Sequence, residues 1–143
     1  MKIINFDLDG TIVDLYGVEN WLTYLTNEDS TPYEVATPML NLSLLARLIH
    51  KVQANGYEVN VISWLAKNST KEYDIEVETT KRKWLKKHLP SVKFDNVYIV
   101  PYGTPKHELS QGILFDDEEK NRSEWKGISY QETQIISTLK ALV

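Results

Sequence analysis

The order of apolar segments predicts an α/β fold in which a doubly wound parallel sheet of about five strands lies between two layers of helices. Three observations carry this. Short β-branched and apolar runs of strand length recur at 3–8, 57–63, 97–100, 112–115 and 127–130. Segments with helical periodicity separate them, and strands that alternate with helices form parallel sheets with right-handed crossovers. The chain has 143 residues, the commonest size for one domain, so residues 1–143 are expected to form a single one.

Ile3 to Leu8 reads as the first strand. After it, Leu15, Val18, Leu22 and Leu25 recur at helical spacing among Tyr16, Trp21 and Tyr24. The turn at 27–32 and the break at Thr37-Pro38 close this stretch, so residues 14–42 read as a small helical, cap-like insertion. Ser43 is placed to cap a helix carrying Leu44, Leu45, Leu48, Ile49 and Val52, with an exit at Asn55-Gly56. Tyr57 to Ser63 is the second strand, apolar enough to be buried on both faces. A long helix from Ser69 or Thr70 to about Leu89 follows, with Tyr73, Val77, Trp84 and His88 near one stripe and Pro90 as its stop. Its early acids and its late Lys81, Arg82, Lys83, Lys86 and Lys87 complement the helix dipole, and the basic run reads as a solvated face. Three more strands and a final helix from Gln131 to Leu142 complete the chain.

Composition removes several classes of function. With 42% hydrophobic and 25% charged residues the chain is ordinary for a globular protein and unlike a disordered one. The absence of Cys excludes disulfides, thiolate metal sites and Cys nucleophiles, and suits a reducing compartment. No charged-then-apolar leader precedes the first strand, and the most apolar stretch, 40–49, is interrupted by Asn41, Ser43 and Arg47. A net charge of -4 gives no overall attraction to nucleic acid or an anionic membrane. A cytoplasmic protein, monomeric or weakly dimeric, with neither a membrane nor a nucleic acid as partner is the expectation.

The most informative motif is Asp7-Leu8-Asp9-Gly10-Thr11. Side chains alternate along an extended chain, so Asp7 and Asp9 share a face, and Gly10 lets the backbone turn just past them. Two carboxylates so close call for a cation or a shared proton. In a doubly wound sheet ligands bind beyond the carboxyl ends of the strands, which is where Asp7, Asp9, Ser63, Lys106 and the pair Asp116-Asp117 all fall. Carboxylates with one Lys and one hydroxyl suit a hard, oxygen-seeking cation beside a phosphate, and Mg²⁺ takes one or two carboxylates plus phosphate oxygens and water. Thr104-Pro105 ahead of Lys106 reads as a helix cap with a first-turn Pro. His50, His88 and His107 read as structural or surface residues.

Taken in order, Asp7-Leu8-Asp9-Gly10-Thr11, Ser63 after Val59-Asn60-Val61-Ile62, Lys106, and Asp116-Asp117 resemble the four motifs of the haloacid dehalogenase (HAD) superfamily of aspartyl phosphotransferases. The resemblance implies a three-layer α/β/α, Rossmann-like fold of the HAD type and a phosphatase. It makes Asp7 the nucleophile that becomes an aspartyl phosphate and Asp9 the acid and then the base. Mg²⁺ is expected on Asp7, the backbone carbonyl of Asp9, Asp116 and Asp117, and the phosphate on Gly10, Thr11, Ser63 and Lys106. Asp116-Asp117 followed by Asn121 is similar to the deoxyribonucleotidase branch, although its larger cap is missing. The expected substrate is a small phosphorylated metabolite, with a nucleoside monophosphate the first candidate and Trp64, Tyr16 and Trp21 as stacking partners. Transfer to a second substrate as in a phosphomutase, action on a nucleic-acid end, and a non-catalytic phosphate- or nucleotide-binding module are the alternatives.

Overall fold

The computed structural model covers residues 1–143. Strands β1 (Ile3–Phe6), β2 (Glu58–Trp64), β3 (Asn96–Val100), β4 (Ile113–Phe115) and β5 (Ile128–Tyr130) pair in one sheet in the order β3-β2-β1-β4-β5. Every pairing is parallel, as the alternation of strand and helix predicts. Six helices join them: α1 (Trp21–Thr26), α2 (Thr31–Val35), α3 (Leu42–Ala54), α4 (Lys71–His88), α5 (Glu119–Glu124) and α6 (Ile135–Leu142). None is long and apolar enough to cross a membrane.

Strand alternation divides the interior. Ile4, Phe6, Val59, Val61 and Phe115 face one side, against Leu45, Ile49 and Val52 of α3, Trp84 and Leu85 of α4, and Ile135 and Leu139 of α6. Ile62 and Leu114 face the other and meet Trp125 and Leu109. The first layer is therefore built of full helices. The second is thin, consisting of the short α5 and a single 3₁₀ turn at Lys106–Glu108. The winding starts at β1, steps out to β3, then returns to β4 on the opposite side of β1. This is a Rossmann-like order, and its reversal leaves a crevice at the carboxyl ends of β1 and β4.

Amides cross the second face of the sheet. Asn5, Asn60 and Asn96 sit in register on β1, β2 and β3. Asn60 Nδ2 donates to Asn5 Oδ1 at 3.1 Å and Asn96 Nδ2 to Asn60 Oδ1 at 3.0 Å. Asn5 Nδ2 reaches the carbonyls of Gln111 and Ile113 at 2.8 and 3.1 Å. Asn5 and Asn60 are fully buried, so this ladder penalises any slip that would strand an amide.

Several local expectations need correction. Asn41, not Ser43, caps α3, its Oδ1 accepting from the Leu44 amide at 3.0 Å. The periodicity from Leu15 to Leu25 is split into a 3₁₀ turn at Leu15–Gly17 and α1. There the Asp14 carboxylate closes the turn on the Gly17 amide, and Asn20 leaves the helical region at φ 61°. Thr104 and Pro105 do not cap a helix: the Thr104 hydroxyl bonds back to the Pro101 carbonyl at 2.6 Å and only the one 3₁₀ turn follows. The last helix begins as a 3₁₀ turn at Glu132–Gln134 before α6. Thr70 does cap α4, its hydroxyl accepting from the Tyr73 amide at 3.2 Å.

The 14–42 stretch packs against α4. Leu15 and Tyr33 join Leu65, Tyr73 and Val77 in a small separate core. Tyr73 donates its hydroxyl to the Asp29 carbonyl at 2.9 Å, and the Glu28 carboxylate receives the Thr70 amide and hydroxyl, both at 2.8 Å.

Candidate functional site

The Asp7 amide donates to the Phe115 carbonyl at 3.0 Å, so β1 and β4 stay paired up to the first carboxylate. The chain then winds tightly, the Leu8 carbonyl accepting from the amides of Thr11, Ile12 and Val13 at 3.0, 2.9 and 2.9 Å. Gly10 makes that turn at φ +82°, and a Cβ on it would run into the Asp117 carboxylate and the Tyr16 ring. Glycine is thus required both by backbone conformation and by space. The turn returns the Thr11 hydroxyl to Asp7, where it donates to Oδ2 at 2.9 Å while accepting from the Asp117 amide at 3.1 Å.

Lys106 closes the other side. Its Nζ lies 2.9 Å from Asp7 Oδ1 and 2.7 Å from Asp116 Oδ2, and its side chain is 2% exposed. Burial alone would lower its pKa, but Asp7 and Asp116 raise it further, so the group stays an ammonium. Asp116 is held from every direction: by the Glu118 amide at 2.9 Å, by Asn121 Nδ2 at 3.1 Å, and at its own carbonyl by Arg122 Nη1 at 2.9 Å. Asn121, singled out only by the resemblance to the deoxyribonucleotidase branch, is therefore an orienting partner of Asp116.

Three carboxylates crowd here. Oxygens of Asp7, Asp116 and Asp117 lie within 4.8 Å of one another. Burial first, and then the charge of Asp7, push Asp116 up to about 6 and Asp117 up to about 8. One ammonium does not neutralise three carboxylates, and an all-oxygen donor set of this density fits a hard divalent cation. Asp7, Asp116 and Asp117 are the side chains here that could hold such a cation.

Asp9 stands apart from that trio. Its Oδ2 is 2.8 Å from Lys81 Nζ, and its side chain is 15% exposed. Burial raises its pKa and Lys81 opposes the rise. The buried lysine corrects the sequence reading. Within the basic run Arg82, Lys83, Lys86 and Lys87 are exposed, but Lys81 is 2% exposed. Its Nζ also donates to Ser63 Oγ at 2.7 Å and to the Trp64 carbonyl at 2.6 Å, and it lies 5.0 Å from the centre of the Tyr33 ring. The signal was present in the spacing, since 73, 77, 81 and 84 fall on one helical stripe, but the neighbouring charges masked it. Ser63 itself is fully buried and touches the site through Lys81.

Beyond the carboxylates lies a cavity of about 260 Å³. Asp7, Asp9, Asp116 and Lys106 line it together with Tyr16, Trp21 and Trp64. All three aromatic residues expected at a substrate therefore share one space with the acids. Trp64 is fixed by its Nε1 bond to the Thr104 carbonyl at 2.9 Å and stacks obliquely on Tyr102 with ring centres 4.9 Å apart. Tyr16 and Trp21 meet edge to face at 4.9 Å. Tyr33 also lines the cavity but is buried, and Tyr24 does not reach it.

No protein-family model and no curated protein matches this chain. The histidines take no part in the carboxylate cluster: His50 bonds the Ser91 carbonyl at 2.9 Å, and His88 stacks on Trp84 with ring centres 4.2 Å apart.

Proposed function

We propose that this protein is a Mg²⁺-dependent phosphomonoesterase of the HAD type, working through an aspartyl phosphate on Asp7. One observation carries the proposal. Asp7 is gripped at both oxygens, by Lys106 and by Thr11, at the end of β1, and it lines the same cavity as Asp9 and Asp116. That arrangement orients a carboxylate nucleophile and puts a second, chemically distinct carboxylate within the same enclosure.

In the first step an Asp7 oxygen attacks phosphorus, the ester P–O bond breaks, and its electron pair leaves with the alkoxy oxygen, which takes a proton from Asp9. In the second step Asp9, now ionised, takes a proton from water as the water oxygen attacks phosphorus. The P–O bond to Asp7 then breaks, releasing inorganic phosphate and restoring the Asp7 carboxylate. Lys106 supplies positive charge beside the attacking carboxylate throughout. Asp7, Asp116 and Asp117, with the Asp9 carbonyl, would hold Mg²⁺, which when bound screens these carboxylates from the dianionic phosphate.

A nucleoside monophosphate is the first candidate substrate, because Tyr16, Trp21 and Trp64 offer aromatic faces and edges in the cavity that the acids line. Contact with a nucleic-acid end draws less support, since the basic face lacks Lys81. Phosphate release over nucleoside monophosphates, sugar phosphates and p-nitrophenyl phosphate, with and without Mg²⁺, tests the proposal. Wild type is expected to turn over with Mg²⁺ and Asp7→Asn to be inert; equal inertness on every ester overturns it.

A further inference from the structure

Lys81 is a charged side chain buried in a part of the molecule where the chemistry above assigns it nothing. An ammonium has three hydrogens and no acceptor. All three are committed here, to Asp9 Oδ2 at 2.8 Å, Ser63 Oγ at 2.7 Å and the Trp64 carbonyl at 2.6 Å. No donor is left for a phosphate, and Lys81 does not line the cavity. Lys106 differs, because it lines the cavity beside Asp7.

The three partners also differ in rigidity. Ser63 and Trp64 belong to β2 in the middle of the sheet, and Lys81 itself projects from the middle of the 18-residue α4. Asp9 sits in the turn after β1, outside any strand or helix. The ammonium therefore ties a turn residue to two rigid elements. It holds Oδ2 of Asp9, whereas Oδ1 accepts no hydrogen bond from the protein, and Asp9 reaches the cavity. An unpaired Lys would not be retained in such a place, since a buried charge without partners is strongly unfavourable.

Building on the proposed phosphatase chemistry, we infer that Lys81 is the positioning residue of the acid/base: it clamps Asp9 Oδ2 to β2 so that Oδ1 faces the cavity as the oxygen that handles the proton. Lys81 touches no substrate and acts through Asp9. In the step it serves, the ester P–O bond breaks and the proton on Asp9 passes to the departing oxygen, so its contribution scales with the need for that proton. An alkyl phosphate expels a strongly basic alkoxide and needs it; p-nitrophenyl phosphate expels a weakly basic phenolate and does not.

Single-turnover release of alcohol from an alkyl phosphate and of p-nitrophenol from p-nitrophenyl phosphate, with Mg²⁺, tests this in wild type, Lys81→Met and Lys81→Arg, with Asp7→Asn as a control. Lys81→Met is expected to slow the alkyl ester by on the order of 10²-fold or more, with a loss at least tenfold smaller on the nitrophenyl ester. Lys81→Arg, which keeps the charge, is expected to restore part of the alkyl rate. Should Lys81→Met fail to fold by circular dichroism, the same ratio of losses is read from Lys81→Arg. Equal losses on both esters, or none on either, overturn the inference while an active wild type and an inert Asp7→Asn leave the phosphatase intact. An inert wild type overturns both.

Discussion

Lys106 Nζ lies 2.9 Å from Asp7 Oδ1 across 99 positions of sequence, and the same nitrogen reaches Asp116 at 2.7 Å. A single buried ammonium thus bridges the ends of β1 and β4 at the point where the sheet reverses its order.

Removing that ammonium leaves crowded carboxylates without a counter-charge. Lys106→Met is expected to destabilise the metal-free protein by about 3–5 kcal/mol, the cost of breaking a buried pair from one side. Mg²⁺ is expected to recover more stability in the variant than in wild type, because binding to the folded state adds to its stability. Urea denaturation with and without Mg²⁺ measures both; an unchanged midpoint in the variant contradicts the geometry.

Asp116 and Asp117 are raised above their ordinary carboxylate value of 3.8, to about 6 and about 8. A raised pKa means that the folded state binds the proton more tightly than the unfolded one. The stabilising contribution is therefore complete below pH of about 4 and is lost as pH rises through about 6 and then about 8. The urea midpoint of the metal-free protein is expected to fall between those limits, and saturating Mg²⁺ to flatten the fall. A midpoint that rises over the same window contradicts the assignment.

Gly10 is the one position of the motif where a methyl group is excluded twice. Gly10→Ala forces an L residue to φ +82° and pushes its Cβ onto Asp117 and Tyr16. A stability loss of at least about 1 kcal/mol is expected from the backbone alone. Displacement of Asp117 should also weaken Mg²⁺ binding, measurable by calorimetric titration, whereas a variant that binds Mg²⁺ as wild type does would show that Asp117 is not needed there.

The amide ladder makes a contrasting prediction. Asn60→Ala strands Asn5 Oδ1 in a fully buried place, at a cost of about 1–3 kcal/mol. Turnover per folded molecule should be unchanged, because Asn60 does not line the cavity. A loss of turnover greater than the loss of folded protein would show that the ladder reaches the site.

The parts of the site legible in the sequence were the local ones. Asp7, Gly10 and Thr11 lie in one turn, and Asp116 follows a three-residue buried strand, so spacing alone placed them at strand ends. Lys106 was found through its position after the third strand, although the turn carrying it is a 3₁₀ turn and not the expected capped helix. Lys81 was misread because a run of cations looks solvated, and only the long-range contact with Asp9, 72 positions away, separates it from its neighbours. The thin second layer was not legible either, since one 3₁₀ turn and a six-residue helix leave little periodicity. Asn5, Asn60 and Asn96 were invisible for a similar reason: polar residues in strands acquire meaning only when the register brings them side by side.

Under the proposed function, Asp7 is expected to carry the phosphoryl group during turnover. Acid quenching of the protein during steady-state turnover with Mg²⁺, followed by mass spectrometry of its proteolytic peptides, tests it directly. The peptide containing Asp7 is expected to gain the mass of one phosphoryl group, lost on treatment with hydroxylamine and absent in Asp7→Asn. Turnover with no such adduct, or with the adduct on another residue, would contradict the account.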